Sequence, residues 1–343
     1  MKDNKKHKKA EYGILITGLI ILLAVACIIA LCAGQYSVSV PEVIKILASR
    51  FVNVTKTWSN TAEGVVFTLR LPRIIGAVLV GSALSLSGAA YQGVFKNPLV
   101  APDLLGVSSG ACVGASVAIL LHLNSFGVQA MAFVAGILAV GLTLFIPRLI
   151  KNTNMTMLVL SGIIVKGIMD SVMGIIKYVA DPETELQSIT YWQLGSLTKV
   201  LPKDLFTVGP VIVAASVIIF LLRWRINILS LGDREAKTLG VSVTIVRNFI
   251  IICATLLTAS AVCISGTIGW IGLVIPHFAR MLTGPDNTKA IPASILIGAI
   301  FMVAIDTLAR ALTSVELPLS ILTGIIGAPF YIIILARQRM KLS

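Results

Sequence analysis

The sequence predicts an all-α, polytopic membrane protein, a transmembrane helical bundle with about ten spans, and three observations predict it. Hydrophobic residues make up 57% of the chain and charged residues 13%, against ~45–50% and ~25% in a soluble globular domain. Apolar runs of about 20 residues, the length that crosses a ~30 Å hydrocarbon core as a helix, recur along the whole chain. The polar connections between them are short and leave no room for a separate soluble domain. A single transmembrane domain over 12–343, behind a basic tail at 1–11, is the expected organisation.

The spans lie near 12–34, 74–93, 105–122, 127–147, 156–178, 204–222, 247–265, 268–283, 291–312 and 319–336. The first follows MKDNKKHKK and runs from Tyr12 to Gly34, too long for the apolar core of a signal peptide, so it reads as an uncleaved helix. The third restarts on Gly106, Gly110 and Gly114, a four-residue spacing that lets helices approach closely. The eighth is short and follows the seventh almost directly, so nine spans are the alternative. The connections 35–73, 179–203 and 223–246 are the longest. YWQLGSLTKVLP, within 179–203, reads as an amphipathic interfacial helix on the outer face.

The formal net charge is +13. Most lysines and arginines flank the apolar runs, where they act as topology signals and meet lipid headgroups. No basic face with interleaved aromatics occurs, which argues against nucleic acid as a partner. The cation distribution places both termini in the cytoplasm. Arg50, Arg70, Arg73 and Arg310 then fall on the outer side as exceptions that ask for a function. The five cysteines sit in apolar runs without a C-x-x-C pair, so neither a metal site nor a disulfide framework is expected. No G-x-x-x-x-G-K-[ST] phosphate loop and no nucleophile–base pair occurs. The chain is therefore expected to be no enzyme and to hold no cofactor; if ATP drives it, ATP and magnesium belong to another subunit.

Three places could carry function. In KNPLVAPDLLG (96–106), Pro98 and Pro102 interrupt the helix, and the freed backbone needs protein or water beside it. Either this is a turn leading into a tightly packed helix, or Gln92, Asn97 and Pro98 also border a pathway through the bundle. Charges within spans form two pairs at i,i+4 spacing, Lys166 with Asp170 and Asp306 with Arg310. Each is a structural ion pair facing the bundle, or else Lys166 is a cation beside the route of an anionic solute. Arg310, near the end of its span, can also snorkel outward. The third place is LGDREAKTLG (231–240), a short charged helix closed by a glycine. It is either an ordinary loop helix or a docking knob for a soluble subunit.

Six segments in order carry a resemblance over nearly all of the chain after about residue 35. They are LRLPR (69–73), SGAAYQGVFKNPLVAPDLLGVSSGA (87–111), YWQLGSL (191–197), LGDREAKTLGV (231–241), GTIGWIGLVIPHFAR (266–280) and ELPLSILTGIIGAPF (316–330). The chain resembles the FecCD-type permeases of ABC importers for iron–siderophore complexes, haem and cobalamin. The resemblance implies ten helices in a bacterial plasma membrane and a second permease copy, identical or paralogous. It also implies a cytoplasmic ATPase dimer and an extracytoplasmic substrate-binding protein, with an iron(III)–siderophore complex as the first expectation for cargo. It implies that Arg70, Arg73 and Arg310 face outward and dock acidic residues of the binding protein. The loop with Leu231, Gly232, Glu235, Ala236, Leu239 and Gly240 is implied to seat in the ATPase. Lys166 and Asp170 depart from the family pattern, which is apolar or small there. The rival reading is an ion-coupled secondary transporter with Asp170 or Asp306 carrying a proton.

Overall fold

A computed structural model describes residues 2–152, 154–313 and 315–339, and side chains for those within 10–332. The basic side chains at Lys2, Lys5, Lys6, Lys8, Lys9, Arg337, Arg339 and Lys341 lie outside the described residues and side chains. The helices are α1 (Lys2–Cys32), α2 (Val40–Ala48), α3 (Asn60–Gly64), α4 (Leu71–Phe95), α5 (Val107–Leu120), α6 (Ser125–Leu149), α7 (Met155–Val179), α8 (Glu185–Leu194), α9 (Pro202–Leu231), α10 (Asp233–Thr238), α11 (Val243–Ser265), α12 (Ile271–Thr283), α13 (Asn287–Ala311) and α14 (Leu319–Arg339). No strand occurs among the described residues. Side-chain caps set several starts. Asn124 Oδ1 accepts from Gly127 N at 2.9 Å before α6, and Asn154 Oδ1 accepts from Met157 N at 2.8 Å before α7. Each satisfies one of the four backbone donors that a helix start leaves free.

All ten expected spans are helical, but they are not alike. Among the described residues, seven stretches are long and apolar enough to cross a bilayer, while Val107–Leu120, Ile271–Thr283 and Leu319–Ile332 are shorter. The 13 residues of α12 reach only about 20 Å at ~1.5 Å per residue. Both α5 and α12 begin inside the bundle after broken backbone, which a membrane protein tolerates only against protein or a polar cavity. The second span is longer than its hydropathy suggests. It is helical from Asn60 to Phe95 and includes a π-helical turn over Val65–Arg70. The amphipathic stretch at 191–202 is also different from expectation. α8 stops at Leu194 because Gly195 adopts φ 73°, and GSLTKVL (195–201) runs outside a helix until α9 begins at Pro202.

Two layers result. The apolar windows of α4 and α11 are 78% and 72% buried, against 33% or less for α1, α6, α7 and α9. α4 is central because it carries small residues where others cross it. A Cβ on Gly81 would stand 2.2 Å from Gly298 O of α13, and one on Gly88 would stand 1.8 Å from Gly272 O of α12. Backbone therefore meets backbone at both crossings, the geometry that small residues permit. Gly110 and Gly114 pack on Ala135, Ala139 and Met131 of α6, as their spacing predicts. Gly106 does something else. It sits at φ 82° as the turn between a 3₁₀ segment, Pro102–Leu105, and α5.

Candidate functional site

A cavity of about 270 Å³ opens where the two broken helices begin. Ala101, Pro102 and Asp103 line it before α5, and Thr267 to Trp270 line it before α12. Ser108, Ser109, Asp170 of α7, Gln193 of α8 and Thr258 of α11 supply further polar groups. The wall at Trp270 is strained. Its φ of 72° and ψ of −35°, with Ile271 N donating to Gly269 O at 2.9 Å, make a γ-turn centred on a bulky residue. The indole is held there by close packing, since a Cβ on Gly327 of α14 would stand 2.8 Å from Trp270 Cβ.

Of the residues predicted to border a pathway, only Asp170 lines this cavity. Lys166 is next to it but does not pair with Asp170; its Nζ is 3.9 Å from Asp103 Oδ2. The helical spacing of Lys166 and Asp170 was satisfied, but a carboxylate from another element competes for the lysine. Gln92 is buried between α4 and α12, 3% exposed. Its Nε2 donates to Leu273 O at 3.1 Å, and its Oε1 accepts from Arg280 Nη1. It therefore ties two helices together. Asn97 and Pro98 are exposed in the turn after α4, where Asn97 Oδ1 accepts from Leu99 N at 2.9 Å. The cavity residues that sequence reasoning missed are Asp103, Ser108, Ser109, Gln193, Thr258, Thr267 and Trp270. Asp103 had a signal, since it lies in the interrupted stretch; Ser108, Ser109, Gln193, Thr267 and Trp270 lie within the quoted segments but carry no charge that marks them, and Thr258 is an ordinary polar residue in an apolar run.

The three arginines correct an expectation. Arg70, Arg73 and Arg310 are 5%, 8% and 7% exposed, and their guanidinium groups bond inward. The last carbonyls of a helix have no intrahelical donors, and α1 ends beside these side chains. Arg70 Nη1 donates to Leu31 O at 2.6 Å and to Cys32 O at 3.2 Å, and Nη2 donates to Tyr36 O. Arg310 Nη1 donates to Ala33 O at 2.9 Å, and Nη2 donates to Ala30 O. Arg73 Nε donates to both oxygens of Asp306, at 2.8 and 3.0 Å, and its Nη1 reaches Glu316 Oε1 at 2.8 Å. The predicted Asp306–Arg310 pair is present at 3.6 Å. Asp306, 1% exposed, is thus enclosed by two guanidinium groups and does not line the cavity. Partial burial favours the neutral form of Glu316, but hydrogen bonds from Arg73 and Thr198 outweigh it and hold the carboxyl below the usual glutamate range.

At the opposite end of the bundle, about 35 Å away along the 25 residues of α4, the predicted docking loop forms α10. Its only buried residue is Ala236. Glu235 is exposed, as are the flanking Leu231 and Leu239 at 65% and 59%. Gly232 takes φ 145°, ψ 157°, a positive-φ conformation that favours glycine, and turns the chain out of α9. Gly240 takes φ 76°, with Val241 N donating to Ala236 O and Gly240 N to Lys237 O, both at 3.0 Å. That pair of bonds is a Schellman cap. The result is a rigid, charged, six-residue helix projecting from the bundle with two exposed leucines beside it.

Residues 22–337 match the FecCD transport family. Relatives include the molybdate import system permease MolB of Haemophilus influenzae, 37% identical over 322 residues, which cover 94% of this chain and 95% of that protein. A probable iron chelatin transport system permease of Helicobacter pylori is 40% identical over 275 residues, 80% of this chain and 83% of that one. The hemin transport system permease HmuU of Yersinia pestis is 35% identical over 307 residues, 87% and 91% of the two chains. A metal-chelate type ABC transporter solved in an inward-facing conformation superposes with a TM-score of 0.85 at 35% identity, covering 95% of this chain and 99% of that one.

Proposed function

This chain belongs to the FecCD transport family and is a membrane-embedded permease subunit of an ABC importer, and from that premise we propose that it carries an iron(III)–siderophore complex inward by alternating access. Two copies, or this chain and a paralogue, would enclose the pathway. A separate ATPase dimer would hold ATP and magnesium, and an extracytoplasmic binding protein would deliver cargo. Both termini would then be cytoplasmic in a bacterial plasma membrane.

The observation that carries this reading is α10. A capped helix with one buried residue adds little to the bundle, but its exposed charges and leucines suit a cleft in a soluble partner. The cavity supports the cargo class. Asp103 and Asp170 line it, no lysine or arginine among the described residues does, and the adjacent Lys166 offsets only one of them. Two carboxylates in a confined polar cavity repel a bare oxyanion such as molybdate more than a chelate whose charge is spread or neutralised. The arginines at the other end are proposed to shape the outer rim, with the binding protein meeting that rim.

Uptake of radiolabelled ferric chelates, hemin and molybdate, measured in a strain lacking this subunit, tests both parts. The unmodified chain should restore uptake of a ferric chelate and not of molybdate. Gly240→Arg should leave uptake at background with the permease still folded, because a side chain at this left-handed position costs only ~1–2 kcal/mol but obstructs the docking face. Normal uptake by Gly240→Arg would refute coupling through α10. Restoration of molybdate uptake alone would refute the cargo class.

A further inference from the structure

α10 does not hang freely on its two connections. Asp233, its first residue, holds two cations on one oxygen. Arg247 Nη2 of α11 is 2.6 Å from Asp233 Oδ1, and Lys96 Nζ is 3.3 Å from it. Arg247 is well buried, its side chain 12% exposed, while Lys96 and Asp233 are open at 35% and 49%. Hydrogen bonding by Arg247, with a smaller contribution from Lys96, holds the Asp233 carboxyl below the usual aspartate range despite partial burial. The pair is therefore ionised at neutral pH.

Both cations lead to the cavity. Lys96 caps α4 in a left-handed conformation, φ 52°, ψ 31°. From it runs a short segment stiffened at each step. Asn97 N donates to Gln92 O at 3.2 Å, Leu99 N to Asn97 Oδ1 at 2.9 Å, and Val100 N to Asn97 O at 3.3 Å. The segment ends at Ala101, Pro102 and Asp103, which form the cavity wall. Pro102 is wedged on α12, since a Cβ on Gly272 would stand 2.3 Å from Pro102 Cγ. Arg247 leads there by a second route, because Thr258, about three turns further along α11, also lines the cavity.

Resting on the permease reading above, we propose that Asp233 is a positioning residue that fastens α10 to the cavity wall, so that a displacement of α10 moves Ala101–Asp103 through Lys96 and α11 through Arg247. The Lys96–Asp233 arm is open to solvent, and exposed ion pairs contribute little to stability. Loss of that arm therefore has a signature that a merely structural contact lacks: it leaves the fold intact and removes the mechanical link through Lys96.

The test uses the full permease–ATPase complex in nanodiscs carrying Ala101→Cys. Maleimide labelling of that peptide is read by mass spectrometry, without nucleotide and with ATP plus vanadate. With the tether intact, ATP–vanadate should change the labelling rate. Lys96→Met and Asp233→Asn should each reduce that change by at least about threefold, with the thermal midpoint and ATPase co-purification of Lys96→Met retained. Lys96→Arg should preserve the response, since it keeps the charge. A full ATP response in both Lys96→Met and Asp233→Asn would overturn the tether and leave the permease reading standing, as would equal loss in Lys96→Met and Lys96→Arg. No ATP response in the complex with its tether intact would overturn both.

Discussion

Asp306→Ala should remove most of the folded protein. The carboxylate is 1% exposed and lies against Arg73 at 2.8 Å and Arg310 at 3.6 Å. Its removal leaves Arg73 with Glu316 as its one remaining carboxylate, and Arg310 with backbone carbonyls and no carboxylate contact. Breaking a buried pair from one side costs ~3–5 kcal/mol, a large share of the ~5–15 kcal/mol that holds a typical fold. The thermal midpoint of purified protein should fall steeply, or the folded fraction on size-exclusion chromatography should collapse. A double replacement, Arg73→Met with Asp306→Leu, should recover part of the loss, because an apolar pair of similar volume needs no desolvated charge. An unchanged midpoint in Asp306→Ala would show that the network is not the fastening it looks like. The same enclosure bears on the rival transport mechanism. A carboxylate sealed by two cations and absent from the cavity lining is poorly placed to load and release a proton.

Gly88→Leu has the next largest expected effect. Even the first carbon of a side chain would stand 1.8 Å from Gly272 O, so α4 and α12 must separate. A Cβ on Gly272 would itself stand 2.3 Å from Pro102 Cγ, so a shift of α12 also disturbs Pro102. Overpacking typically costs ~1–3 kcal/mol and more where backbone must move; here it also distorts the cavity wall at Pro102. Folded yield should drop about tenfold or more, equivalent to ~1.4 kcal/mol or above. Gly141→Ala on α6 is the matched control. Nothing lies within 4 Å of its Cβ position, so the better helix propensity of alanine should leave the protein as stable or gain up to ~1 kcal/mol. Equal loss in both variants would mean that the α4–α12 crossing is not as close as described.

Much of the architecture was legible because membranes impose a simple ruler. Ten apolar runs located ten helices, and LGDREAKTLG announced a capped loop helix through its charge pattern and final glycine. The break at Pro98 and Pro102 and the shortness of the eighth span were both readable; what hydropathy could not show is that the segments before Val107–Leu120 and Ile271–Thr283 meet around one cavity. Those same segments build the cavity, so the site was the least readable part. Counting lysines and arginines assigned Arg70 and Arg310 to one side of the membrane, and in the structure both lie beside the end of α1. It could not say that both turn inward to the carbonyls that α1 leaves open, since that depends on where a third helix ends. Lys166 shows the same limit, as helical spacing offered it Asp170 while the tertiary fold offered Asp103.

The most direct measurement of the central claim is accumulation of a radiolabelled ferric chelate in proteoliposomes. The permease alone, with an imposed proton or sodium gradient, should accumulate nothing above leakage. The permease with its ATPase dimer, the loaded binding protein and ATP should accumulate label, and vanadate should stop it. Gradient-driven accumulation by the permease alone, in the absence of ATP, would contradict the account.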